Sequence, residues 1–341
     1  MLDKKTSVGV GVGVGVTALT GWWAWKYYTS TRLPDKWEEV GEVYQLSIFP
    51  LKSGRGVSVK EAQATTHGLA HHTLQDRVLM AVTAEGTLLP GRPSGRLRRV
   101  MTKIEGHVAT LEAEGHTPIT VDLEEITKER RIIRTKIMGQ PVQGVDCGDE
   151  VAEWLTKMIN EGQMKVRLLY KGNVAEEREA LNAEKFKFKQ FRKTDKVYFA
   201  NNTAYMMTTT ASLENLNKCL DTPITMTQIR PNIEIVGTAP HDEDDWAFVK
   251  IGQTIFRKLK PCQRCMRMTM NPSTGDLHPK SEPLRTLRTY RKITEPPVMV
   301  KAWPDKVIFG ANFGIDVTGT IRVGDKVLVA RASQYPKFMG Y

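Results

Sequence analysis

"WAFVKIGQTIFRKLKPCQRCMRMTMNPSTG", residues 246–275, decides how the rest of the chain is read. It reads as strands followed by a turn at "NPSTG". Two of the chain's four cysteines, Cys262 and Cys265, sit three positions apart among the strand-like residues. A structural zinc site wants four nitrogen or sulfur ligands. A second C-x-x-C is absent from the sequence, and no H-x3-5-H follows the pair. His67, His71 and His72 could join only through long-range folding. A thioredoxin-like dithiol belongs at a strand-to-helix junction, which this setting does not resemble. A third reading is one thiolate serving a metal-bearing cofactor that brings its own ligands. Arg264 stands next to the pair and would favour a thiolate. The fourth is a pair of buried core thiols. Spacing alone leaves these readings open.

Working outward, short strands dominate. "GEVYQLSIFPLKSGRG" opens the folded body with a strand through Val43, Tyr44, Leu46, Ile48 and Phe49, ended by Pro50. "DRVLMAVTAEGTLL" reads as strands about an "AEG" turn, and "HVATLEAEGHTPITVDL" repeats the style. "GDEVAEWLTKMINEG", residues 148–162, is the clearest helix, with Val151, Trp154, Leu155, Met158 and Ile159 on one face. "SLENLNKCL", 212–220, is expected as a short helix capped by Ser212, and "SEPLRTLRTYRK", 281–292, as another. "QIRPNIEIVG", 228–237, is expected as a strand carrying Arg230 and Asn232 on one face. The expected class is α+β and β-rich, with barrel-like sheets.

The chain has 341 residues, 40% hydrophobic, and a formal net charge of +11. That length supports two domains. The charge favours acidic partners without choosing among them. Four cysteines make no disulfide framework and indicate a reducing compartment. From Thr6 to Trp25 no residue is charged, and Trp22, Trp23, Trp25, Tyr27 and Tyr28 cluster at the end of the run. About 20 apolar residues span a bilayer as a helix, and such aromatics sit at its interface. The expected division is a membrane anchor over 1–28, a linker over 29–38, one domain over 39–175 and a second over 183–338. "KFKFKQFRKTDK", 185–196, sets six basic residues among three Phe. It reads as a strand with Phe inward and Lys outward, or as a docking patch for an acidic partner.

Two further places suit an anion. In "FPLKSGRG", Lys52, Ser53 and Arg55 follow a strand and come with two glycines, though the spacing is not that of a Walker loop. In "LQDRVLM", Arg77 precedes an apolar run. Arg230, in its apolar context, needs a ligand or a carboxylate partner.

"FPLKSGRG", "DRVLMAV", "VDCGDEVAEWL", "IRPNIEIVG", "CQRC" and "FGANFGIDVTGTIRVGD" follow one another in the order seen in MOSC-domain proteins. With its N-terminal anchor the chain resembles, more closely, the mitochondrial amidoxime-reducing components, over about residues 38–335. The resemblance implies an N-terminal β-barrel-type domain, a C-terminal MOSC β-barrel domain and a molybdenum cofactor, the Mo-molybdopterin. It implies that Cys265 ligates the metal and acts in catalysis, with Cys262 a neighbour. Lys52, Ser53 and Arg77 would meet the phosphate and pterin. Arg230, Asn232, Gln263, Arg264 and Asn312 match further cofactor contacts. In "YFANNTAYMM" the chain departs from the family's Ser-Asp pair: Asn201, Asn202 and Thr203 occupy that region, and Asn201 cannot deliver a proton as a carboxylate would. The implied activity is reduction of N-hydroxylated compounds, with electrons from NADH through cytochrome b5 reductase and cytochrome b5, at the mitochondrial outer membrane with the body facing the cytosol. The rival reading is a membrane-tethered sulfur carrier or binding module that works through a Cys265 persulfide.

Overall fold

The computed structural model describes residues 33–160, 162–174, 177–180 and 188–335. The expected anchor over 1–28, and the linker up to residue 32, lie outside the described residues. Within them, no helix is long and apolar enough to cross a membrane.

Seven strands close into a barrel, numbered here in chain order: β1 Glu38–Ile48, β2 Tyr205–Thr209, β3 Ile233–Val236, β4 Trp246–Ile251, β5 Thr254–Gln263, β6 Ile308–Val317 and β7 Lys326–Arg331. The ring runs β3-β2-β6-β5-β4-β7-β1 and closes where β1 pairs with β3. Closure leaves no edge among these strands for another chain to add to. Every pairing is antiparallel except β2 with β3. A parallel pair needs a crossover, here residues 210–232, which contain helix Thr210–Asn217 and the turn Met226–Ile229.

Two strands cross the domain division expected from the sequence. β1 is a stave of this barrel although it starts the folded body, and Gly319–Arg322 pairs with Glu61–Thr65. The rest of the N-terminal half forms a sheet of Leu79–Thr83, Ile132–Ile137, Gln140–Asp146 and Val166–Tyr170, and another of Met101–Glu105, Val108–Ala113 and His116–Asp122. Helix Asp149–Asn160 buries Val151, Leu155, Met158 and Ile159 as its period requires, while Trp154 stays half-buried and donates to Thr117 O at 2.6 Å. Leu46, Leu79, Val145, Leu155 and Phe256 share one apolar core.

β5 is buried along most of its length, charges included. Arg257 is 0% exposed and is held by Asp195 at 2.9 Å and Asp316 at 3.0 Å. Breaking such a buried pair by removing one partner is strongly destabilising. Gly314 on β6 makes the space: a Cβ there would stand 2.2 Å from Asp195 Oδ1. The β5–β6 ribbon shifts register between Lys258 and Lys260 and again between Pro261 and Gln263. Such bulges re-aim side chains at a sheet end, and this one delivers Gln263, Arg264 and Cys265.

Two local expectations are corrected. Arg230 and Asn232 do not lie within a strand. Arg230 closes the turn Met226–Ile229 in a left-handed conformation (φ 64°), and the strand starts only at Ile233. Pro231 has no N–H to give a ladder, so pairing cannot begin before it. The cap of helix Thr210–Asn217 is Thr209, whose Oγ1 accepts from Ser212 N at 3.1 Å, so Ser212 is inside the helix.

Candidate functional site

The twelve positions marked by the resemblance line one pocket of about 220 Å³ at the mouth of the β5–β6 ribbon: Lys52, Ser53, Arg77, Asn201, Asn202, Thr203, Arg230, Asn232, Gln263, Arg264, Cys265 and Asn312; Arg55, His67, His71 and His72 do not line it. They come from six separated stretches of chain. The turn after β1 supplies Lys52 and Ser53, with Ser53 in the left-handed region (φ 69°). The next loop supplies Arg77, whose N–H donates to Phe49 O at 2.7 Å and so fixes that loop against the end of β1. Asn201–Thr203 precede β2, and Asn312 lies on β6 opposite Met206.

The pocket is cationic. Lys52, Arg77, Arg98, Arg230, Arg264 and Arg267 line it, and none of its described lining residues is acidic. Lys52 Nζ donates to Phe199 O at 2.6 Å and Asn201 Oδ1 at 2.5 Å, both neutral acceptors. Burial holds its ammonium well below the usual lysine range, and the charges of Arg267, Arg178 and Arg77 add to this. Burial likewise pushes the Arg98 guanidinium down to about 10, helped by Arg264 and Arg267 and opposed by Cys265. Arg230 is driven in the same direction by burial and then by Arg98 and Arg77. These cations repel one another inside a poorly solvated pocket. An anion placed among them would lower the energy of all.

A buried frame orients them. Asp76 accepts from Phe49 N at 2.9 Å, from Asn232 Nδ2 at 3.1 Å and from the Arg77 guanidinium. Asn232 Oδ1 accepts from Met206 N at 3.3 Å and Arg77 Nη1 at 3.4 Å. The Phe49 ring serves two cations, with Arg230 at 4.2 Å and Arg77 at 5.0 Å from its centroid. Arg267 Nη1 donates to Ser53 Oγ at 3.1 Å, and Arg98 Nη2 to Arg267 O at 2.6 Å.

The two cysteines differ. Cys262 is buried at the end of β5, and Arg264 Nη1 donates to its Sγ at 3.2 Å. Arg264 therefore serves Cys262 rather than Cys265. Cys265 is an exposed free thiol past the strand, at the start of the turn Met266–Thr269. Among the described residues, no group of three or more His, Cys, Asp and Glu gathers as a metal-binding set.

Sequence reasoning missed Arg98, Arg267, Asp76 and Phe49. Arg98 stands in "RLRRV", which looks like an ordinary basic surface turn. Its one signal is that Leu97 and Val100 flank it, and all three are buried.

This architecture, a closed barrel with a cationic pocket and a free thiol at its rim, coincides with two recognised domains. Residues 40–162 match the MOSC N-terminal beta barrel domain, and residues 194–328 match the MOSC domain. Mitochondrial amidoxime-reducing component 1 of Xenopus laevis is 31% identical over 312 residues, 92% of this chain and 88% of that protein. The Homo sapiens protein of the same name is 30% identical over 94% of this chain and 92% of its own length. That of Danio rerio is 33% identical over 87% of each. The chain belongs to the amidoxime-reducing component family of MOSC-domain proteins.

Proposed function

We propose that the protein is a molybdenum-cofactor-dependent reductase of N-hydroxylated compounds, amidoximes and hydroxylamines among them. One observation carries this: six cations and a free thiol converge on a pocket without a carboxylate in its described lining. The chemistry fits a pterin cofactor, which is anionic through its phosphate and carries a thiophilic metal. Lys52, Ser53 and Arg77 would hold its phosphate and pterin. Arg230, Asn232, Gln263, Arg264, Asn312 and the amides of Asn201 and Asn202, with Thr203, would complete the cradle. Cys265 Sγ would be the protein's ligand to the metal. When bound, the cofactor supplies the redox chemistry that cleaves the N–O bond. Oxygen leaves as water, and two electrons and two protons are consumed.

The names of the relatives support amidoxime reduction and a mitochondrial setting. In this reading the uncharged run over 6–25 anchors the protein in the outer membrane, with the body facing the cytosol. NADH-cytochrome b5 reductase and cytochrome b5 supply the electrons. The basic stretch 185–196 is the docking face for that acidic donor. Residues 185–187 of it lie outside the described residues. Beyond them Phe188 is buried and Lys189 exposed. Lys189→Glu should slow the cytochrome-driven rate and spare turnover with an artificial dye. Steering of this kind weakens with salt.

The deciding experiment measures molybdenum and pterin in full-length protein from a host able to make the cofactor, beside Cys265→Ser. Near-stoichiometric molybdenum in the parent, with activity lost in the variant, is expected. Labile sulfur on Cys265 without molybdenum would overturn the reading in favour of a sulfur carrier.

A further inference from the structure

A second cavity, of about 880 Å³, adjoins the cofactor pocket, and Arg98, Gln228 and Arg230 line both. Its size lies in the range that holds small organic ligands, some 300–1,000 Å³. Tyr44, Phe49 and Met226 give it apolar wall. Its charges are unevenly disposed. Arg55, Arg98, Arg99 and Arg230 line it, together with Glu114 and Glu234.

Glu234 is the unusual member. It lies on β3, opposite Gln45 of β1 and Thr208 of β2, so neither strand neighbour is charged. It is only 5% exposed, and its carboxyl has no hydrogen-bond or ion-pair partner among the described residues. Burial, with no contribution from a neighbouring charge, raises it to about 7. A buried carboxyl without a partner is costly unless something else supplies the donor. The cavity is where that donor would enter.

We propose that this cavity receives the amidine formed when the N–O bond is cleaved in the adjoining pocket, and that Glu234 binds its nitrogen group. The inference rests on the reductase reading above for its choice of ligand. Reduction of an amidoxime leaves an amidine, a strong base carrying N–H donors in a planar fork. A carboxylate matches that fork in two parallel hydrogen bonds. The arginines on the shared wall repel such a cation once it has formed, which directs it out of the cofactor pocket towards Glu234.

The test is calorimetric titration of the full-length protein with benzamidine, and with benzamide as an uncharged near-isostere. Glu234→Gln should weaken benzamidine roughly tenfold or more, the scale of a lost charge-assisted hydrogen bond, and leave benzamide unchanged. Equal benzamidine affinity in parent and variant overturns the inference, as does no binding to the parent. Should Glu234→Gln fail to fold, Thr227→Trp carries the test: it fills the cavity from an exposed wall position and should abolish benzamidine binding. Unchanged binding in that variant overturns the inference. Molybdenum content is measured on the same samples. Loaded, active protein whose benzamidine affinity ignores Glu234→Gln removes the subsite and leaves the reductase. Glu234-dependent binding to protein that never acquires molybdenum removes the reductase and leaves the subsite.

Discussion

Lys52 Nζ donates to Asn201 Oδ1 at 2.5 Å, across 149 residues of sequence. This contact joins the turn after β1 to the segment before β2. The ammonium has neutral acceptors only, so its charge is left for a ligand. Asn201→Asp would give it a permanent counter-ion. The ligand-free protein should then gain about 1–2 kcal/mol of resistance to urea, and its affinity for inorganic phosphate should fall several-fold. Unchanged phosphate affinity would mean that Lys52 does not hold the anion.

Lys52 also makes a pH prediction. Its folded-state pKa is depressed by burial and by neighbouring arginines. Between that value and its ordinary range near 10.5, the unfolded chain binds the extra proton. Stability due to this group therefore rises with pH across the window. Lys52→Met removes the effect. The variant should be more stable than the parent at pH 7 without ligand, and the gap should narrow towards pH 10. Denaturant titrations of both proteins at four pH values would reveal a gap that stays constant if Lys52 is not the cause.

Glu243 should show the opposite slope. It is fully buried, accepting from Thr208 Oγ1 at 2.8 Å and Ser212 Oγ at 3.1 Å. Burial first, and Asp244 second, raise it to about 7. A raised carboxyl contributes stability that is complete below its unfolded value and is lost as pH rises to about 7. Glu243→Gln should flatten that loss, gaining on the parent between pH 5 and pH 8 in thermal melts.

The pair at Asp195 and Arg257 supports β5 from inside. Arg257→Met leaves the buried Asp195 without its cation, while Asp316 keeps Arg192 at 2.7 Å, and should cost about 3–5 kcal/mol. Gly314→Ala places a methyl against the same carboxylate and should destabilise by at least 1–3 kcal/mol, the range for overpacking. Urea midpoints measure both. A neutral Gly314→Ala would show that Asp195 can move aside.

Thiol labelling separates the cysteines. Cys219 and Cys265 are exposed, and Cys147 and Cys262 are buried. Iodoacetamide should modify the first two in native protein and the others only on unfolding. Cofactor loading should protect Cys265 and not Cys219, as read by peptide mass spectrometry.

The sequence by itself determined the local elements and the chemical inventory. Alternation in "VYQLSIF" and the helical period of 149–160 act between near neighbours, so they are legible without a fold. The resemblance marked twelve site positions, and all twelve face one pocket. What only the tertiary structure decided is how distant groups meet. Arg98 reads as a solvated surface charge until the chain buries it beside Arg267, 169 residues away. Glu234 reads as the polar residue of an alternating strand until the barrel closes and leaves it only 5% exposed. β1 joins a barrel whose other six strands begin at Tyr205, because ring closure needs a partner for both β3 and β7. Charge type is written in the residue, whereas the energy of a charge depends on burial and on neighbours from other parts of the chain, which folding alone sets.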